Sequence, residues 1–110
     1  MTLNEQQWKF SRLVAELIQE ANHQGFEVSL GEAHRPAITA AFYALKGIGV
    51  KDSFHGKRLA IDIMLFRDGK YLTNQRDYLG LGIWWQSRGG TWGGFFKRAD
   101  GNHFSLGEGK

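Results

Sequence analysis

The chain of 110 residues contains no cysteine, and this absence removes several kinds of chemistry. Without cysteine it can form no disulfide, no thiolate metal site and no cysteine nucleophile. Any bound metal must therefore be held by His, Asp or Glu side chains. The sequence also lacks a Walker-type phosphate loop, a His-Glu-x-x-His helix, a Gly-x-Ser-x-Gly elbow and a dinucleotide fingerprint. The nucleotide-binding and hydrolase classes that carry these motifs are therefore poorly supported.

Long apolar runs are missing as well. No stretch approaches the roughly 20 apolar residues that a membrane-spanning helix needs. Residues 1–5 do not follow the basic and apolar pattern of a signal peptide. We therefore expect a chain that is made in the cytoplasm and is not inserted into a membrane.

The composition is that of a folded protein. Hydrophobic residues make up 42% of the chain and aromatic residues 14%, which is enough for one core, so we expect a single domain over residues 1–110. The net charge is +3, but the basic residues are scattered and form no long run. This pattern favours a solvated surface, and we expect a monomer without a nucleic-acid partner.

The apolar spacing predicts an α+β fold, in which helices pack against a small antiparallel sheet. A capping-box pair, Thr2 and Glu5, begins a helix whose apolar residues repeat every three or four positions and which ends near Gly25. Residues 26–30 alternate as a strand with one buried face, and Pro36 fits the first turn of a second helix.

The second half of the chain continues this pattern. Residues 59–66 predict a strand buried on both faces, and Asp68-Gly69 predicts a hairpin turn after it. Thr73 or Asn74 can cap a third helix, and a last short strand begins at His103. The apolar positions expected on the third helix are Tyr78, Leu81, Ile83 and Trp85.

One carboxylate interrupts the apolar strand at residues 59–66. Asp62 would be costly to bury as a lone ion, so it must be paired, hydrogen-bonded, metal-bound or neutral. His55 precedes the strand and His103 lies near the C-terminus. Two histidines and one carboxylate suit a catalytic zinc, which keeps one position open for water. The pattern equally fits an Asp62 that caps a loop or pairs with Arg or Lys. A histidine in a loop is more often an ordinary surface or hydrogen-bonded residue than a ligand.

Four further residues are candidates for the chemistry. Asp100, three residues before His103, could accept a proton from water, although it also fits a plain Asp-Gly turn. Arg35 could hold a substrate carboxylate or an oxyanion, or lie in solvent. Ser53 could bind substrate or shape its loop. Trp92, inside the glycine-rich stretch 87–94, is a further candidate substrate contact.

At these residues the sequence resembles the zinc D,D-peptidases of family M15. This family includes D-Ala-D-Ala peptidases and small phage endolysins that cleave L-alanyl-D-glutamate bonds. Its signature is Ser-x-His, four residues, Ala-x-Asp, then a later Trp-Gly-Gly and an acidic residue three places before a histidine. The matching residues here are Ser53, His55, Ala60, Asp62, Trp92-Gly93-Gly94, Asp100 and His103.

The resemblance spans roughly residues 31–104 and implies a Hedgehog/DD-peptidase-like fold with a zinc site in a cleft. It implies that His55, Asp62 and His103 bind one zinc ion per chain, that Asp100 is the general base and that Arg35 engages substrate. This chain has Arg58 where the family usually has Gly. It also has Asp100 where many members have Glu, which favours the phage endopeptidase branch.

The function implied by the resemblance is hydrolysis of the L-alanyl-D-glutamate bond in peptidoglycan stem peptides by a phage or prophage endolysin. Such a protein would reach the cell wall after release through a membrane lesion made by another protein. An alternative in the same class is a D-Ala-D-Ala carboxypeptidase or dipeptidase. An alternative from another class is a non-catalytic module that contains zinc or binds nucleic acid.

Overall fold

A computed structural model describes residues 1–33 and 57–107, and there two helices accompany an antiparallel sheet. The elements are α1 (Leu3–His23), β1 (Glu27–Leu30), β2 (Ala60–Arg67), β3 (Lys70–Tyr71), α2 (Gln75–Ser87), β4 (Thr91–Trp92), a 3-10 turn (Gly93–Phe95) and β5 (His103–Ser105). The strand order is β1-β2-β5-β4, and β3 also pairs with β2. The predicted α+β fold is confirmed. The helix expected after Pro36 lies outside the described residues.

Helix α1 has the ends that its sequence predicts. The Thr2 side chain accepts a hydrogen bond from the Glu5 backbone N–H, and the Glu5 side chain accepts one from the Thr2 backbone N–H. Gly25, just beyond the helix, has a φ of +94°, a left-handed conformation that glycine adopts without steric cost. The side chains that α1 buries are Phe10, Leu13, Leu17 and Ala21.

Strand β2 is the centre of the sheet and pairs with three other strands. Ile61, Ile63 and Leu65 are buried, whereas Asp62 and Met64 on the other face are only half-buried. The prediction of burial on both faces is therefore only partly correct: on the face that carries Asp62, Ala60 is buried, but Asp62 and Met64 are not fully buried. That face remains partly accessible to solvent, as a site for a ligand requires.

The hairpin after β2 agrees with the sequence. Arg67 pairs with Lys70 across the two-residue turn Asp68-Gly69. Both turn residues have positive φ, 53° and 75°. Type I′ turns require positive φ at both central residues and match the twist of the flanking strands, which is why Asp-Gly is favoured there.

Helix α2 begins after Asn74, whose side chain accepts a hydrogen bond from the Arg76 N–H. Three of the four predicted apolar positions are buried, but Ile83 is 54% exposed, so its predicted place in the core is wrong. Gly82 occupies the buried face instead. A Cβ added there would collide with the Trp92 ring, so the missing side chain lets Trp92 pack directly on α2. Neither described helix is both long and apolar enough to cross a membrane.

Candidate metal centre

Asp62 and His103 are directly opposite each other on strands β2 and β5. The Ile63 N–H donates to the Asn102 carbonyl at 2.9 Å, which makes Asp62 and His103 a non-hydrogen-bonded pair of the ladder. Side chains approach most closely in such pairs. His103 Nδ1 is 3.9 Å from Asp62 Oδ1. Two residues 41 positions apart in sequence are thus brought together by the sheet register.

The turn before β5 adds a second carboxylate to this pair. The His103 N–H donates to the Asp100 carbonyl at 3.1 Å, so the chain folds back on itself between these residues. Asp62, Asp100 and His103 each offer one ligand atom, and these atoms all lie within 4.8 Å of one another. The structure therefore brings together three of the residues selected from the sequence.

The three side chains differ in their access to solvent. His103 is 5% exposed, the Asp62 side chain is 28% exposed, and Asp100 is exposed. The Phe96 ring lies beside the imidazole, with ring centroids 5.3 Å apart and planes tilted by 52°. Asp100 is thus placed on the solvent side of the cluster, where a water molecule or a substrate can reach it.

A β-bulge holds the backbone of Asp62 from the other side. The Gly31 N–H donates to the Asp62 carbonyl at 2.7 Å, and the Asp62 N–H donates to the Glu32 carbonyl at 3.1 Å. Gly31 and Glu32 therefore both lie opposite the single residue Asp62. Such a bulge often redirects a side chain next to a functional site. The bulge at Gly31 and Glu32 was not predicted from the sequence. The position of Phe96 beside His103 was likewise not predicted.

The segment Trp92-Gly93-Gly94 packs against the turn that carries Asp100 and His103. Trp92 is 2% exposed and its indole N–H donates to the Gly101 carbonyl at 2.8 Å. A Cβ on Gly93 would collide with the Asp100 carbonyl oxygen and lie 2.8 Å from His103 Cβ. The prediction that Trp92 contacts substrate is therefore corrected: the ring is a core residue that fixes the turn between Asp100 and His103.

The donor set fits a zinc ion. Zinc bonds to imidazole nitrogen and carboxylate oxygen at about 2.1 Å, which places two donors of a tetrahedral site about 3.4 Å apart. The 3.9 Å between His103 Nδ1 and Asp62 Oδ1 differs from this by about half an ångström, a gap that small side-chain rotations can close. The ligand roles of Asp62 and His103 stay predictions. His55, Arg35 and Ser53 lie outside the described residues.

Arg58 lies just before β2 and has a backbone conformation that is typical of glycine, the residue that the family usually has at this position. Its φ is +58°, in the left-handed region that non-glycine residues seldom adopt. A glycine would adopt it without the steric cost of a Cβ. The departure from the family pattern at this position therefore keeps the local backbone shape and introduces strain.

Comparison with known proteins identifies the family and agrees with the fold. A family model described as D-alanyl-D-alanine carboxypeptidase matches residues 47–106, more than half of the chain. The chain is thus a peptidase. More specifically, it belongs to the M15 peptidase family.

A solved structure is similar over most of its length. The crystal structure of the Serratia marcescens L-Ala D-Glu endopeptidase ChiX aligns with a TM-score of 0.72 over 94% of this chain and 84% of that chain. The two sequences are 20% identical, so the likeness shows a shared fold. No curated protein sequence matches the chain.

Proposed function

We propose that this chain is a zinc-dependent peptidoglycan peptidase that hydrolyses the L-alanyl-D-glutamate bond of stem peptides. The observation that carries the proposal is the convergence of Asp62, Asp100 and His103 from two strands and a turn. Membership of the M15 family and a fold shared with an L-Ala D-Glu endopeptidase support it. In this proposal residues 1–110 form one domain that acts as a monomer.

Asp62 and His103, with His55 as implied by the family motif, would hold the zinc ion. Zinc bound there would polarise the scissile carbonyl and lower the pKa of a water molecule towards neutrality. The Phe96 ring packs beside the His103 ring, and two backbone hydrogen bonds join Asp62 to Gly31 and Glu32. These contacts support the positions from which the two side chains would reach the metal.

Asp100 would act as the general base and then as the general acid. A carboxylate is ionised at neutral pH and can accept a proton from the attacking water. The oxygen of that water bonds to the amide carbonyl carbon. Asp100 then returns the proton to the amide nitrogen as the carbon–nitrogen bond breaks. The backbone of Asp100 is held for this task, because its N–H donates to the Gly93 carbonyl at 2.8 Å.

The resemblance to the family motif suggests which residues would recognise the substrate. Arg35 would pair with a carboxylate of the stem peptide or with the oxyanion of the tetrahedral intermediate, and Ser53 would donate a hydrogen bond to the peptide. As an endolysin, the protein would reach the cell wall after release through a lesion made by another protein.

A D-Ala-D-Ala carboxypeptidase is the second candidate function, because the matching family model carries that description. The two activities act on the same polymer and differ in the bond that they cut. An endopeptidase separates L-alanine from D-glutamate within the stem peptide, whereas a carboxypeptidase releases the terminal D-alanine.

Digestion of purified peptidoglycan by the zinc-loaded protein tests the proposal, with the new amino and carboxyl termini identified by mass spectrometry. The expected products carry C-terminal L-alanine and N-terminal D-glutamate. Asp100→Ala is the matched control, since it should keep the metal and lose turnover. Release of free D-alanine alone would establish the carboxypeptidase instead, and a digest without new termini would overturn the peptidoglycan assignment.

A further inference from the structure

Asn102 lies between Asp100 and His103 and forms a second set of contacts. Its side-chain Nδ2 donates to the Ile63 carbonyl at 2.8 Å and to the Tyr78 hydroxyl at 3.3 Å. Its own carbonyl accepts from the Ile63 N–H at 2.9 Å. Asn102 is therefore joined to β2 at the residue that follows Asp62.

These contacts complete the last rung of the ladder between β2 and β5. In a regular antiparallel ladder, the pair beyond Asp62 and His103 exchanges two backbone hydrogen bonds. Here Ile63 donates the first bond to the Asn102 carbonyl, and the side-chain amide of Asn102 supplies the donor for the Ile63 carbonyl. The amide thus keeps the rung closed at the point where the chain passes from the turn into β5.

Tyr78 connects this rung to helix α2. It is 1% exposed, and its hydroxyl donates to the Leu72 carbonyl at 2.8 Å and accepts from the Leu65 N–H at 3.1 Å. The Asn102 amide reaches the same oxygen. A buried hydroxyl with several partners resists displacement, because each broken bond would leave a desolvated polar group.

We propose that Asn102, supported by Tyr78, is a positioning residue for the metal centre. By closing the rung next to Asp62 and His103 it fixes the strand register, and with it the distance between the two donors. The amide acts through the backbone, because it donates to the Ile63 carbonyl and to the Tyr78 hydroxyl. This inference rests on the proposed zinc-dependent function.

The test measures the affinity of the metal-free chain for Zn²⁺ alone, by competition with a chromogenic chelator. Asn102→Ala should weaken zinc binding by about 10-fold to 100-fold, the range for groups that orient metal ligands without touching the metal. Asn22→Ala is the matched control. The Asn22 amide also donates to a backbone carbonyl, that of Phe26 at 2.9 Å, but it does so at the C-terminal end of α1.

Equal zinc affinity of Asn102→Ala and the wild-type chain would overturn the inference, as would an equal loss in Asn22→Ala, which would indicate general destabilisation. If Asn102→Ala does not fold, Tyr78→Phe takes its place. That variant keeps the ring and removes the hydroxyl, and it should also bind zinc more weakly than Asn22→Ala. A wild-type chain that binds no zinc would overturn the proposed function itself, whereas unchanged affinity in the variants would remove only the role of Asn102.

Discussion

Replacing Gly93 by alanine tests how tightly the Trp-Gly-Gly segment supports the centre. The new Cβ would overlap the Asp100 carbonyl oxygen and lie 2.8 Å from His103 Cβ. Carbon atoms in favourable contact are about 3.5–4.0 Å apart, so the two Cβ atoms must separate by about 1 Å. Overpacking of this kind costs about 1–3 kcal/mol of stability. A misplacement of about 1 Å in a catalytic group can lower the rate about 100-fold.

We therefore expect Gly93→Ala to fold with reduced stability and to lose about 100-fold in kcat/KM on stem peptides. Denaturant unfolding and initial rates measure the two effects. Gly69→Ala is the control, because Gly69 has a φ of +75° and nothing within 4 Å of an added Cβ. It should cost about 1–2 kcal/mol from backbone strain and leave kcat/KM unchanged. Wild-type turnover in folded Gly93→Ala would show that the Trp-Gly-Gly segment does not position Asp100 and His103.

Two further predictions concern stability. Arg58→Gly should raise the free energy of unfolding by about 0.5–1 kcal/mol, measured by denaturant unfolding. The reason is that relief of about 1–2 kcal/mol of left-handed backbone strain exceeds the cost of the extra entropy that glycine has in the unfolded chain. A lower free energy of unfolding would contradict this. Burial raises the pKa of Tyr78 above its usual 10.0. The stability that this shift provides is fully present below pH 10.0 and is lost as the pH rises through the folded-state pKa. Tyr78→Phe should therefore lose less stability than the wild-type chain between neutral and alkaline pH, and parallel pH profiles would exclude the effect.

Local signals in the sequence were sufficient for the elements whose ends are set by short-range chemistry. The capping box at Thr2 and Glu5 and the left-handed glycine at Gly25 define α1 without reference to the rest of the fold. The Asp68-Gly69 turn is equally local. Asp62, Asp100 and His103 were selected from motif spacing, and the structure brings them together.

Errors arose where packing between distant residues decides the outcome. The buried face of α2 runs through Tyr78, Leu81, Gly82 and Trp85, a helical stripe in which glycine takes an apolar place. Ile83 was predicted on the apolar face of this helix, and Gly82 was not. Only the presence of Trp92 opposite Gly82 explains why a residue without a side chain occupies that face.

The position of β1 at the edge of the sheet and the register between β2 and β5 were also not predicted from the sequence. Leu30 was expected on a buried face, but β1 lies at one end of the described strand order, and Leu30 is 58% exposed. The pairing of Asp62 with His103 depends on a rung closed by the Asn102 side chain. A hydrogen bond between residues so far apart in sequence leaves no periodic pattern from which to predict it.

If Asp62 and His103 hold one zinc ion, the zinc content of the purified chain must depend on both residues. The wild-type chain and the single variants Asp62→Ala and His103→Ala would be loaded with zinc, dialysed and analysed by inductively coupled plasma mass spectrometry. We predict one zinc per wild-type chain and none in either variant, with circular dichroism showing that each remains folded. One tightly bound zinc per chain in either folded variant would remove the replaced residue from the ligand set.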